Sequence, residues 1–368
     1  LKNDLIEQSL VASDFIRETW PGLLEDAQET FRSWKTELEE VYLCGCGDSH
    51  HAAIGLEFAF SLWSGRKVRA APAMFMSRYM VPSLGYPAGN ALVIGISASG
   101  EVARTIEAID LANEIGARTL AFTSKPESSL AKKAKDTLFA ANPSTSGPGL
   151  LSYLASLLMG VASCAALADE VDRKEICSCM EELPLILDHW IPSSMESGKL
   201  FAENPMIRAG CVFVAGGSLI GSAIFAAAKL IESTGIYAWA QELEEWGHLE
   251  YFCNPAQMPT CFFSAEGRTT SREEELIEAA NTIGRQMNIY RWKGLDHWGS
   301  EAREALAPFG LWAGPAACAA RLAENMEEEA FRGFRGGRSR EEGGGASRIR
   351  SSFRYKSFRD FSGPLGLS

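Results

Sequence analysis

The sequence predicts an α/β protein of two similar units, each a parallel sheet flanked by helices on both faces. Three observations carry this. Short apolar runs, such as Ala91 to Ile96 and Cys211 to Ala215, read as strands buried on both sides. They alternate with helical patterns, the order that joins parallel strands through crossover helices. The second half then repeats the plan of the first: strand, glycine-serine turn, helix, acidic segment, strand, helix, strand.

Residues 1–39 are helical in pattern and mixed in charge, with Trp20-Pro21 as a break, and read as an N-terminal helical arm. The first unit spans residues 40–169. Val41 to Leu43 is a short strand ending in Gly45-Cys46-Gly47-Asp48-Ser49, and a helix follows from about His50 to Trp63. The two glycines permit a tight turn and close ligand approach. Ser49 either caps the helix or donates to a ligand. A dinucleotide site is not supported: G-x-G-x-x-G is missing, and the strand Lys67 to Ala71 ends in Ala-Ala-Pro instead of an acid. His50 and His51 project about 100° apart on a helix, so they form no paired metal face.

Ala91 to Ile96 breaks into Ser97-Ala98-Ser99-Gly100, and Glu101 opens a helical pattern with Val102, Ile106 and Ile109 on one face. Strand, serine-glycine turn, helix binds phosphate with no metal or basic side chain. The first helical N–H groups lack partners within the helix, the dipole favours an anion there, and hydroxyls add donors. A serine that merely caps the helix fits the same residues. Further strands follow at Arg118 to Thr123 and Asp136 to Ala140, then a polar loop, Asn142 to Gly149, and an apolar helix from Leu150. Ligands of such sheets lie beyond the carboxyl ends of the strands at the switch point, which groups both serine turns and Ser144 to Ser146 around one crevice.

Residues 170–208, with Pro184 and Pro192 as breaks, read as a helical linker. The second unit spans 209–330. Cys211 to Ala215 leads through Gly216-Gly217-Ser218 into a helix from about Leu219 through Ile231. The acidic segment Gln241 to His248 follows, then strands at Thr260 to Phe263 and Asn288 to Trp292 around a helix Arg272 to Gln286. Glu242, Glu244 and Glu250 read as surface charge, and Trp239 and Trp246 as core or pocket wall. The tail 331–368 holds nine Lys or Arg against three Asp or Glu among Gly and Ser, and reads as a flexible or docked segment, with a lid that brings an arginine to a phosphate as the alternative.

A chain of 368 residues suits two domains of about 150 residues plus extensions. The net charge of −12 argues against a nucleic-acid surface, though a helix terminus still supplies local positive potential. Nine scattered cysteines, with two C-x-C pairs but no C-x-x-C and no zinc spacing, fit a reduced cytoplasmic protein without a metal. No cationic start precedes an apolar stretch as in a signal peptide, and three serines interrupt the longest apolar run, Leu150 to Ala168, so it reads as core and not membrane.

The motifs GCGDS at 45–49, SASGE at 97–101, KLIE at 229–232 and EWGH at 245–248 carry a resemblance. In that order and spacing the chain resembles the sugar isomerase (SIS) family, close to the isomerase half of glucosamine-6-phosphate synthase and to two-domain phosphosugar isomerases and deglycases. The resemblance covers about residues 40 to 295. It implies a homodimer or higher homo-oligomer with a site at the subunit interface, a sugar phosphate as substrate, no cofactor, and no membrane or nucleic-acid partner. It further implies that the turns around Gly47, Asp48 and Ser49 and around Ser97, Ala98, Ser99 and Val102 hold the sugar phosphate. Glu232 would move a proton between the first two sugar carbons. His248 would assist ring opening, often from the neighbouring subunit, and Lys229 would line the same site. The synthase's glutamine amidotransferase domain is missing, so ammonia channelling is not implied.

Two positions depart from the family. Asp48 stands where threonine is common, and a carboxylate there either faces away or meets a cationic part of the ligand, as an amino sugar offers. Val102 also replaces a common threonine and removes one phosphate donor. The expected activity is aldose–ketose isomerisation or amine removal on a hexose 6-phosphate or amino-sugar phosphate. The alternatives are a fructosamine-6-phosphate deglycase, which releases an amino acid from a sugar–amine adduct, and a non-catalytic sugar-phosphate sensor. Read without the resemblance, Lys229 and Glu232 would be an ordinary solvated i,i+3 pair.

Overall fold

Ala91–Ile96 is buried at every position, as a strand covered on both faces must be. The computed structural model describes residues 4–33, 35–142, 148–328 and 354–362. The chain divides into two compact units. Among the described residues, one comprises 19–33, 35–142, 155–173 and 354–362; the other comprises 4–18, 148–154 and 174–328.

The helices α1 (Asp4–Leu10) and α2 (Ala12–Phe31) lead in. The expected break at Trp20-Pro21 does not occur, for Pro21 lies inside α2. In the first unit the elements are β1 (Glu40–Gly45), α3 (Asp48–Ser64), β2 (Lys67–Pro72), α4 (Ala73–Phe75, with further helical turns to Ser83), β3 (Ala91–Ile96), α5 (Ala103–Glu114), β4 (Arg118–Thr123), α6 (Ser129–Lys133) and β5 (Asp136–Phe139). The sheet is parallel throughout, ordered β2-β1-β3-β4-β5. The chain leaves β1 for β2 on one side and returns to β3 on the other. The carboxyl ends of β1 and β3 therefore flank the switch point where such sheets take ligands. Val93, Ile106, Ile109 and Leu111 belong to the core on one face of this sheet, and Tyr355 and Phe358 from the C-terminal segment pack against it.

Helices α7 (Leu151–Leu167) and α8 (Glu170–Ala202) follow. Residues 170–202 are one helix running through Pro184 and Pro192, not a segment broken at each proline. Its buried stripe of Ile176, Met180, Leu183, Leu187, Ile191 and Met195 recurs at helical spacing and outweighs a proline cost of about 3 kcal/mol each.

The other unit holds β6 (Cys211–Ala215), α9 (Ile220–Thr234), β7 (Ala238–Glu242), α10 (Leu243–His248), β8 (Pro259–Ser264), α11 (Thr270–Thr282), β9 (Gln286–Arg291), α12 (Ser300–Leu306) and α13 (Ala313–Asn325). Its parallel sheet is ordered β7-β6-β8-β9, so β6, β7, β8 and β9 repeat β1, β2, β3 and β4 in place. The expected acidic segment is in fact an edge strand running into a short helix. At Gly198 a Cβ would meet the Gly314 carbonyl oxygen at 1.9 Å, so α8 and α13 touch backbone to backbone there. Among the described residues no helix is long and apolar enough to cross a membrane.

Candidate active site

The turn after β1 depends on two glycines. A Cβ at Gly45 would lie 2.7 Å from Ser49 Cβ, so the turn folds back tightly only without a side chain there. Gly47 has φ 57° and precedes α3 as its N-cap, with no side chain capping the helix. Ser49 is therefore not a cap; it lies in the first turn of α3, half-buried. Asp48 opens the helix, and its Oδ1 lies 3.5 Å from His51 Nδ1 on the next turn. That contact turns the carboxylate along its own helix, and a negative side chain is favourable in a first helical turn. His50 beside it is pushed down to about 4 by burial, with the neighbouring His51 adding to the effect.

In the turn after β3, Ser97 is buried and its Oγ accepts from the Gly100 N–H at 3.1 Å. Ser99 is exposed and its Oγ accepts from the Glu101 N–H at 3.3 Å. Each hydroxyl still has its own proton to donate. The carbonyl of Ala98 accepts from Ser124 N and Thr123 Oγ1, which ties the turn to the end of β4. Gly100, at φ 65°, has Ser128 where a Cβ would project. Helix α5 begins at Ala103, two residues later than Glu101, with Val102 as an N-cap that offers no side-chain bond. The capping alternative fails for both serines, because α5 takes Val102 as its N-cap, with no side-chain capping bond. Glu101 instead accepts from the Ser129 N–H at 2.8 Å. An open cleft of about 510 Å³ lies beside the turn, lined by Ser99, Glu101, Lys125, Pro126, Glu127 and Ser128. Ser144 to Ser146 lie outside the described residues.

The same helix carries a buried carboxylate that the sequence does not single out. Glu107 is completely buried and accepts from Ser77 Oγ at 2.8 Å, Arg78 Nε at 3.0 Å, Arg104, and the Tyr355 N–H at 2.8 Å. Burial pushes its carboxyl up. The hydrogen bonds from Arg78, Ser77 and Tyr355, with the charge of Arg104, outweigh that and hold it below the usual carboxylate range. Its only signal in the sequence is its place between Ile106 and Ala108 on an otherwise apolar stretch.

In the second unit, α9 carries Lys229 and Glu232. Lys229 is fully buried, donates to Glu232 Oε2 at 2.6 Å, and lies 4.9 Å from the Phe225 ring centroid. Glu232 keeps 34% of its side chain exposed. The solvated-pair reading does not hold, since a buried ammonium is retained only where a counter-charge holds it. His248 ends α10, exposed, 3.3 Å from Glu244 Oε1, while Glu244 Oε2 accepts from Arg272 Nε at 2.8 Å. Glu242 is not idle surface charge: its Oε2 accepts from the Glu244 and Glu245 N–H groups and caps α10. Glu250 is buried, accepting from Trp239 Nε1 at 2.9 Å and Cys253 Sγ at 3.2 Å. Trp246 is core and Trp239 packs against the same cluster. The structure thus groups Asp48 with Ser49, Ser97 with Ser99, and Lys229 with Glu232. Within the second unit His248 makes its own contacts with Glu244. Among the described residues no three His, Cys, Asp or Glu converge to hold a metal ion.

Residues 36–166 match the SIS domain family. The chain is 29% identical over 171 residues to the glutamine–fructose-6-phosphate aminotransferase (isomerizing) of Campylobacter jejuni, covering 46% of this chain and 26% of that relative. It therefore spans about a quarter of that protein's length. Among solved structures it is similar to the C-terminal domain of glucosamine-fructose-6-phosphate aminotransferase from Francisella tularensis (TM-score 0.70, 15% identity, 87% of this chain and 94% of that one). It is also similar to glucosamine-6-phosphate deaminase from Thermotoga maritima (TM-score 0.65, 18% identity, 87% and 96%). At these identities the structural likeness carries the fold alone.

Proposed function

With residues 36–166 a SIS domain, we propose that this chain is a phosphosugar enzyme that moves a proton between adjacent carbons of an open-chain hexose 6-phosphate or amino-sugar phosphate, as aldose–ketose isomerisation or amine removal. The observation that carries the chemistry is the fully buried Lys229 held 2.6 Å from a partly exposed Glu232. Removing a proton next to a carbonyl requires one carboxylate fixed in orientation and open to the substrate. Lys229 orients Glu232, and Glu232 takes the proton from one carbon and returns it to its neighbour while the hydroxyl proton passes to the carbonyl oxygen, which balances isomerisation; amine removal also takes up one water, whose oxygen replaces the nitrogen as ammonia leaves. His248 serves ring opening, which suits an exposed imidazole.

Binding is the task of the first unit. The Ser97 and Ser99 hydroxyls, the Ser49 hydroxyl and the uncapped first N–H groups of α5 are donors suited to a phosphate dianion. Anchoring the phosphate lets binding energy orient the reacting end. With Val102 offering no hydroxyl, the backbone and the serines carry the anchor, with Gly47 and Ala98 contributing main chain only. The reading includes a homo-oligomer in a reduced cytoplasm, and the described cysteines are all free thiols. The test is a thermal-shift screen of hexose 6-phosphates and their amino derivatives, followed by turnover assays on those that bind. Stabilisation by a phosphosugar and loss of turnover in Glu232→Gln support the reading; an active Glu232→Gln enzyme refutes the base assignment.

A further inference from the structure

The second sheet reproduces the β2-β1-β3-β4 order of the first, so it also has turns flanking a switch point: Gly216-Gly217-Ser218 after β6 and Ala265 to Thr269 after β8. These occupy the places of the Gly45 to Ser49 and Ser97 to Gly100 turns. Gly217 has φ 56°, as Gly47 has φ 57°. Such a glycine-rich pair of turns is suited to an anion.

That place is filled by the chain itself. Glu304, from α12, is 5% exposed, and its Oε2 accepts from the Arg268 N–H at 3.0 Å. A Cβ at Gly267 would fall 2.2 Å from the same oxygen, and one at Gly217 would lie 3.6 Å from Oε1. The glycines leave the space that the carboxylate occupies. Among the described residues no cation pairs with it. The Arg268 guanidinium goes to Glu301, and that of Arg303 goes to the carbonyls of Ala265 and Glu266 and to Asp296. A buried carboxylate without a cation has to be held by N–H dipoles, which is how these turns would hold a ligand. Ser218 Oγ is buried there with no hydrogen-bond partner among the described residues.

We propose that Glu304 is a built-in anion closing the second unit's phosphate-type cradle, so that each chain binds phosphate in its first unit only. The ligand class rests on the phosphate reading of the first unit. Equilibrium dialysis with inorganic phosphate, repeated with fructose 6-phosphate, tests it on the full chain. Wild type is expected to bind one equivalent per chain. Glu304→Ala should gain one further equivalent, and Glu304→Gln, which fills the same space, should gain none. Glu304→Ser replaces the alanine variant if circular dichroism shows that the latter is unfolded. Two equivalents on the wild type, or no gain in a folded small-residue variant, overturns the proposal. If the first-unit reading is the one at fault, wild type binds none while the small-residue variant still gains one.

Discussion

Lys229 and Glu232 stand three residues apart on α9 with their charges 2.6 Å from one another, the lysine sealed from solvent and the carboxylate open to it. Most i,i+3 pairs on a helix surface are worth a few tenths of a kcal/mol. This one holds a charge inside the protein, so the two partners have different tasks. Glu232→Gln is expected to lower kcat about a thousandfold while the Kd for a phosphosugar, read by calorimetry, changes less than about threefold. Lys229→Met keeps the buried stem and is expected to cost about a hundredfold in kcat with a native circular dichroism spectrum.

Replacing both Ser97 and Ser99 with Ala is expected to raise the phosphosugar Kd by about tenfold or more, the loss of one or two charge-assisted hydrogen bonds. Because Ser97 Oγ also accepts from Gly100 N, the single Ser97→Ala variant should lower the melting temperature as well, whereas the exposed Ser99 should not. Equal affinity in the double variant would move the anchor away from this turn.

Glu107 supplies a pH prediction. Its folded value lies below its unfolded one, so its contribution to stability is present above the ordinary carboxylate range and is lost as pH falls through the depressed folded value. Glu107→Gln is expected to destabilise by about 3 kcal/mol at neutral pH, because Arg78 and Arg104 lose their shared counter-charge. Urea midpoints for wild type and variant should converge as the solution is acidified.

His50 acts in a higher window. Its folded value of about 4 against 6.5 unfolded means that the neutral ring is favoured in the fold. Stability from this group is complete above 6.5 and declines as pH falls towards 4. His50→Gln should flatten the wild-type loss of melting temperature over that interval, and an unchanged slope would place the titration elsewhere.

The strands were legible where both faces are covered, because Ala91 to Ile96 and Cys211 to Ala215 leave no polar position to confuse the period. The edge strand β7, Ala-Trp-Ala-Gln-Glu, was not, since its last two residues are polar and it leads straight into a helix capped by its own last residue. Prolines misled in α2 and α8, where a buried face three turns long or more outweighs the local cost of a missing N–H. Of the candidate site, the residue types on the turns could be read, but not that Ser97 and Ser99 would use their acceptors within the turn. The burial of Lys229, Glu250 and Glu304 is a property of tertiary neighbours, which one chain's spacing does not encode.

The clasp of residues 354–362 on α5 bears on how the protein can be dissected. Tyr355 gives its amide to Glu107, and Ser357 Oγ and Phe358 N both bind the Glu114 carboxylate. An excised fragment stopping near residue 166 would therefore carry a sealed-in acid short of one donor and a bare apolar strip where Tyr355 and Phe358 had rested. Anyone expressing the first unit alone should supply the closing peptide in trans, or expect a less soluble product.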